Sequence, residues 1–335
     1  MKFILIQLFA FIVLLNSCQE GNNKPKIGFL FSDFNSPRWE REANLFKDRI
    51  NSNGGESFIA VAGGDELKQY NQALEFINKG IDVLVITATN ANTAADIVRI
   101  AHKNKVKVIA YDGLILNAEL DYLVAFDLKK VGELQAAYIS ERLPKGNYII
   151  FNGDVVHQAA IEMYSGILKV LGPSINENKI NVVYTGWIES WSGINARHIV
   201  QKILEFSTEN IDAIIAANDG IANGIVEELI SRGLNKQILI TGQDGDLDAC
   251  NRIYNGEQTM TVYKSSRQIA FATADLALKL AKGEKAEGLV YLNNGKKDVP
   301  TLMLEPVSVD KSNLESVIVA DGIYSMDQII NYSNP

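Results

Sequence analysis

From Lys26 onward, apolar runs of strand length alternate with stretches in which apolar residues recur every three or four positions. That alternation predicts a parallel β-sheet with crossover helices. The runs are KIGFLFS, SFIAVA, DVLVITA, VKVIAY, YLVAFD, NYIIFNG, NVVYTGW, AIIAAND, QILITGQD, TMTVYK and VYLNN. Their nearly continuous hydrophobicity predicts strands covered on both faces. Between them, Leu67, Tyr70, Leu74 and Ile77 mark one helix face closed by Gly80, and Ile221, Ile225 and Leu229 mark another closed by Gly233. A glycine at such a point suits the left-handed residue that follows a helix.

The pattern occurs twice. GIDVLVITATN (80–90) aligns with NIDAIIAANDG (210–220), and about one helix later VKVIAYDG (106–113) aligns with ILITGQDG (238–245). The offset is 130 between Asp82 and Asp212 and 132 between Asp112 and Asp244. Two similar α/β lobes therefore carry the same strand-helix-strand unit. Asp112 and Asp244 fall just past the carboxyl ends of equivalent strands, where open α/β sheets bind ligands. Two such sheets facing one another predict a cleft lined by Asn90, Asp112, Asn218, Asp219 and Asp244. Taken singly, Asp-Gly and Asn-Asp pairs are ordinary turn chemistry. Their recurrence in register is what marks a site.

Ahead of the first strand the pattern is different. Phe3 to Leu15 is an apolar run broken only by Gln7, preceded by Lys2 and followed by small residues, the layout of a secretory signal. It is too short to span a membrane. Leu15-Asn16-Ser17-Cys18 resembles the lipobox of bacterial lipoproteins, which predicts cleavage after residue 17 and lipid attachment at Cys18, with residues 18–25 as a tether. An ordinary cleaved signal with an incidental cysteine is the alternative. Removal of the signal leaves 318 of 335 residues, enough for two medium lobes with substantial cores. Cys250 is then the only other cysteine, so no intrachain disulfide framework exists and Cys250 reads as a small buried hydrophobe. The formal charge of −8, without a basic stripe, argues against nucleic acid and anionic membrane surfaces as partners.

No enzyme constellation emerges. His102, His157 and His198 are the only histidines, and none stands at metal-ligand spacing with cysteine or carboxylate. G-x-S-x-G, G-x-x-x-x-G-K-[ST] and a post-strand G-x-G-x-x-G are all missing. The expectation is binding without turnover, with no metal and no cofactor. What is present suits a neutral polyol, which is held by paired donors and acceptors and by an aromatic face against its C–H side. Asp112, Asp219 and Asp244 accept, Asn218 does both, and Arg38 and Lys264 donate. Trp187 and Trp191 follow a strand end in GWIESWSG, and Trp191, beyond the strand among small polar residues, is the favoured platform; core packing is the alternative for either. His157 follows NYIIFNGDVV on a loop expected to face the cleft.

These residues resemble a known family. PRWEREANLF, GIDVLVI, VIAYDG, AFDLKKVGELQA, PKGNY, AANDGIANG, TGQDGDL, QTMTVYK, LNNGKKDVP and VIVADGIY, in that order, are similar to the D-xylose-binding periplasmic proteins, type I sugar-binding proteins of ABC transporters. The resemblance runs from Lys26 to about Tyr324. It implies two doubly wound parallel-sheet lobes joined by a three-crossing hinge that closes on one sugar. It also places Arg38, Asp112, Trp191, Asn218, Asp244 and Lys264 on the ligand. Crossings are implied near Phe126–Asp127, Tyr263–Lys264 and Val299–Pro300, giving lobes of 26–126 plus 264–299 and 127–263 plus 300–330. Two departures bear on the ligand. Gly113 stands where the family has arginine, and His157, Gln158 and Ala159 replace Asp-Asn-Asn, leaving His157 or Gln158 to supply the missing amide. The implied role is an exported, lipid-anchored monomer that captures a monosaccharide for an ABC permease. A membrane sensor kinase or chemoreceptor as the partner, or a sugar-like signalling molecule as the ligand, is the other reading.

Overall fold

The computed structural model describes residues 24–34 and 37–332. The predicted signal and Cys18 lie outside the described residues. In chain order the first part comprises β1 (Lys26–Phe31), α1 (Pro37–Ser52), β2 (Glu56–Val61), α2 (Glu66–Asn78), β3 (Val83–Ile86), α3 (Ala95–Lys103), β4 (Lys107–Tyr111) and β5 (Tyr122–Phe126). The second comprises α4 (Leu128–Arg142), β6 (Gly146–Asn152), α5 (Gln158–Asn176), β7 (Ile180–Trp187), α6 (Gly193–Phe206), β8 (Ala213–Ala216), α7 (Asp219–Ser231), β9 (Leu239–Gln243), α8 (Leu247–Asn255) and β10 (Met260–Tyr263). The chain closes with α9 (Ser266–Ala281), β11 (Val290–Asn293), β12 (Asp298–Leu304), β13 (Val307–Val309) and α10 (Met326–Ile330).

Two sheets result, ordered β2-β1-β3-β4-β5-β12-β11 and β7-β6-β8-β9-β10-β13. Neighbours run parallel except β11 against β12 and β13 against β10. The first five strands follow the same order in both lobes, as the internal repeat predicts, while the sixth, β12 or β13, is parallel to its neighbour in the first sheet and antiparallel in the second; the likeness extends to single bonds. The Asp112 N–H donates to Val124 O across 2.8 Å, and the Asp244 N–H to Val262 O across 3.0 Å. Each aspartate thus leaves its strand in the same way, with positive φ of 64° and 118°. Four core clusters flank the sheets, two per lobe; Phe29, Phe31, Phe46 and Tyr111 fill one face of the first sheet. Cys250 is fully buried in α8, as expected of a small hydrophobe.

Membership of the sheets changes between Phe126 and Leu128, between Tyr263 and Ser266, and between Leu304 and Val307. The last of these corrects the crossing expected at Val299–Pro300. β12 stays beside β5 as far as the Leu304–Phe126 pair, so the first lobe extends to Leu304. Pro300 disguises this strand in the sequence. β13, at three residues, is too short to read.

Two other expectations change. α2 forms where predicted, with Gly80 left-handed behind it (φ 73°), but its buried face is Gln69, Ala73 and Phe76 while Leu67 is 69% exposed. The α7 face of Ile221, Ile225 and Leu229 is buried as read. The edge strands β2, β7 and β11 are open on at least one face, because each lies at the limit of its sheet.

Candidate functional site

The first lobe contributes an ordered cation. Arg38, one residue into α1, donates from Nε to Glu42 Oε1 (2.6 Å) and from Nη2 to Asp112 Oδ1 (3.1 Å). Glu42 is fully buried, and its other oxygen accepts from the Tyr111 hydroxyl at 2.7 Å. The Arg38 guanidinium also lies 4.7 Å from the Trp39 ring centroid. One helical turn and the last residue of β4 therefore fix the guanidinium against Asp112. Burial alone would lower the Arg38 pKa, but Asp112 and Glu42 hold it well above its ordinary value, so the group stays charged.

The second lobe answers with an aspartate and a lysine. Asp244 follows β9, accepts from the Gln243 side chain, and has Lys264 Nζ 3.6 Å from Oδ1. Lys264 is only 8% exposed, on the chain's second passage between lobes. Burial pushes the Asp244 carboxyl above the usual carboxylate range against the pull of Lys264 and Arg38, with Asp112 adding to the rise. For Asp112 the balance is opposite: burial raises it, but Arg38 and Lys264 together bring it below that range. Each aspartate feels the cation of the other lobe. Arg38, Asp112, Asp244 and Lys264 thus form one cluster where the carboxyl ends of the two sheets meet.

The second lobe also carries an aromatic pair. Trp191 Nε1–H donates to His157 Nδ1 at 2.8 Å, which leaves the proton of neutral His157 on Nε2. Ser190 and Trp191 adopt left-handed φ of 54° and 55°, a turn held by the Ser190 N–H donating to Asp154 Oδ2 at 2.7 Å. The other Asp154 oxygen accepts from Val156 N, so this carboxylate ties together the loops bearing Trp191 and His157. The Trp191 ring lies on Gly153, where any Cβ would come within 2.2 Å of Cη2. Trp187 instead packs edge-on against Tyr164 of α5.

Other predicted residues are engaged elsewhere. Asp219 is fully buried, and its carboxylate accepts from Gly245 N (2.8 Å), Asp246 N (3.1 Å), Thr261 Oγ1 (2.9 Å) and Gln258 Nε2 (2.8 Å). It sits beneath the loop that presents Asp244. Asn218 caps α7 through Oδ1, bonded by Ile221 N at 2.9 Å. Asn90 accepts from Asn92 N at 2.9 Å and donates to Glu66 at 3.1 Å, building the turn after β3. Gln158 opens α5 and donates to Glu162 at 3.2 Å. Sequence reasoning missed Glu42, Asp154 and Gly153. The four-residue spacing of Arg38 and Glu42 on a helix could have found the first; the other two carry no local signal.

A model for the periplasmic binding protein domain matches residues 27–285. The chain belongs to this family. Within it, the D-xylose-binding periplasmic protein of Haemophilus influenzae is 39% identical over 328 residues, covering 98% of each chain. Its counterpart of the same description in Escherichia coli is 36% identical over 328 residues, covering 98% of this chain and 99% of the other. Among solved structures, a carbohydrate transporter solute-binding protein from Chloroflexus aurantiacus in complex with D-glucose superposes with a TM-score of 0.79 at 26% identity, covering 91% of this chain and 98% of that one. The charged cluster thus lies between two lobes that the chain joins at three places.

Proposed function

We propose that this protein captures a monosaccharide, a pentose such as xylose or a related aldose, between its lobes and delivers it to the membrane permease of an ABC transporter. The observation that carries the reading is the cross-lobe cluster: Asp112 and Asp244, on equivalent strand ends of opposed sheets, each kept beside a fixed cation. A neutral sugar with adjacent hydroxyls donates to such carboxylates and accepts from Arg38 and Lys264. Hydrogen bonds to charged groups contribute about 1.5–3 kcal/mol each, so three or four reach roughly micromolar affinity after ordering costs. Trp191 supplies the face for the C–H side of the ring, and His157 a further N–H. Asp219 supports the Asp244 loop from below rather than meeting the sugar. Binding proceeds without turnover. Cys18 anchors the exported monomer by its lipid.

Titration calorimetry against pentoses, hexoses and their deoxy and acid forms, on protein unfolded and refolded to strip carried ligand, tests this. A single tight aldose is expected, with binding lost in Asp244→Ala at an unchanged unfolding midpoint without ligand. Silence across the panel from a folded protein, or affinity retained in Asp244→Ala, overturns it.

A further inference from the structure

Asp321-Gly322, in VIVADGIY, is an Asp-Gly pair away from the strand ends that carry the charged cluster. It belongs to the tail that follows β13, in which Leu314, Ile318 and Ile329 pack with Cys250 and Ile253 of α8 and with Tyr263. The Asp321 side chain is 15% exposed. A single oxygen of it, Oδ2, accepts from two hydroxyls, that of Tyr263 at 2.5 Å and that of Ser265 at 2.7 Å. Arg267, at the start of α9, donates from Nε to the Asp321 carbonyl oxygen at 2.9 Å and lies 3.5 Å from Oδ1. Three residues spaced by two along the chain thus converge on Asp321.

Between the first two of them stands Lys264. Tyr263 ends β10, and Ser265 is also extended, with φ −61° and ψ 114°. Successive side chains of extended backbone point to opposite sides, so bonds that hold 263 and 265 to one side direct 264 to the other. There Lys264 Nζ stands 3.6 Å from Asp244 Oδ1. A lysine stem is long and flexible, and the place of its ammonium depends on how firmly the backbone beneath it is held. Both flanking residues are held twice. The Ser265 hydroxyl donates to Asp321 while its oxygen accepts from Gln268 N at 2.9 Å, capping α9. The Tyr263 ring is wedged under the turn after β9: a Cβ at Gly245 would come 2.8 Å from Tyr263 Cδ2 and 3.3 Å from Ile318 Cδ1 of the tail.

We infer that Asp321 is a positioning residue for sugar binding, which aims Lys264 into the cluster by fixing Tyr263 and Ser265 on either side of it. Asp321 itself meets no sugar. Its carboxylate, contributed by the tail, sets the backbone at the second passage between lobes from behind. The inference rests on the monosaccharide reading above.

The test is calorimetry with the aldose found above, beside denaturant melts without sugar, on wild type, Asp321→Asn, Tyr263→Phe, their double variant, Arg267→Ala and Ile329→Ala. Asp321→Asn and Tyr263→Phe are expected to bind about tenfold more weakly, near the lower end of what a hydrogen bond to a charged group contributes. The double variant should bind no more weakly than the worse single one, because both break the same bond. Ile329, fully buried in the tail, tests packing alone: Ile329→Ala should lower the unfolding midpoint and leave sugar affinity within about twofold of wild type. Arg267→Ala, which removes the tie to α9, should also stay within about twofold. Tyr263→Phe carries the test if Asp321→Asn fails to fold. Wild-type affinity in a folded Asp321→Asn or Tyr263→Phe protein overturns the positioning role. So does a loss in Ile329→Ala equal to that in Asp321→Asn, which would make the tail mere cover, or an equal loss in Arg267→Ala, which would make the tie to α9 the cause. A wild type that binds no sugar overturns the monosaccharide reading, and this inference with it.

Discussion

Gly153→Ala is a small change with a calculable consequence. The added methyl would lie 2.2 Å from Trp191 Cη2 and 2.4 Å from Cζ2 and Cζ3. Ordinary contact begins near 3.4 Å, so the ring must move by about 1.2 Å. Backbone strain does not enter, because Gly153 is not among the glycines of positive φ. The obstacle is the far end of a half-buried indole on an exposed turn, which can swing aside. Moving it breaks the bond from Nε1 to His157, which takes about 0.5–1.5 kcal/mol from the stability of the free protein, and takes the ring face away from the sugar, which takes about 0.5–1.5 kcal/mol from binding. The loss of roughly 0.5–1.5 kcal/mol from binding predicts sugar affinity about two- to 13-fold weaker by calorimetry. Stability should hardly move, since alanine also restricts the unfolded chain by about 0.4–1 kcal/mol. A double-mutant cycle sharpens the test: on a Trp191→Ala background Gly153→Ala should cost nothing further, because the clashing atoms are gone. Affinity at the wild-type level in a folded Gly153→Ala protein would refute the role given to Trp191.

Three further outcomes are expected. Because Asp244 is held above the usual carboxylate range and Asp112 below it, acidification should protonate Asp244 before Asp112; sugar affinity should fall, and an equal pH dependence in Asp244→Asn would refute the assignment. Burial pushes the Asp121 carboxyl up, but hydrogen bonds from Val108 N, His102 and Lys107 bring it below its ordinary value. Its contribution is present above the unfolded pKa of about 3.9 and lost as pH falls through the folded value, so Asp121→Asn should lower stability by about 1–2 kcal/mol at pH 7 in denaturant melts, with the difference vanishing in acid. Gly132→Val should unfold the second lobe or destabilise it by more than about 3 kcal/mol, since even a Cβ at Gly132 lies 1.9 Å from Met163 O, and α4 and α5 cannot separate without opening the core; a wild-type melting midpoint would show that the helices pack less closely.

The two-lobed α/β architecture was legible because parallel strands buried on both faces leave continuous apolar runs, and because the repeat exposed their equivalence. Asp112 and Asp244 were legible for the same reason. Arg38 and Lys264 could be chosen by chemical type, but only the fold placed each cation against an aspartate, and it put Lys264 on the passage between lobes. Asp219 shows the limit from the other side. It is a carboxylate at a strand end, like Asp244, yet four donors from three separate segments enclose it, and no local pattern distinguishes a supporting acid from an exposed one. Strand β12 was hidden by Pro300, and on α2 Tyr70 and Ile77 pack against the core as read while Leu67, as apolar as a core residue, does not. Local chemistry along the chain determined which segments are strands and helices and which residue types could meet a sugar. Pairing across the sheets, which depends on contacts between residues far apart in the chain, decided the lobe boundary at Leu304, the cage around Asp219 and the seat of Trp191 on Gly153.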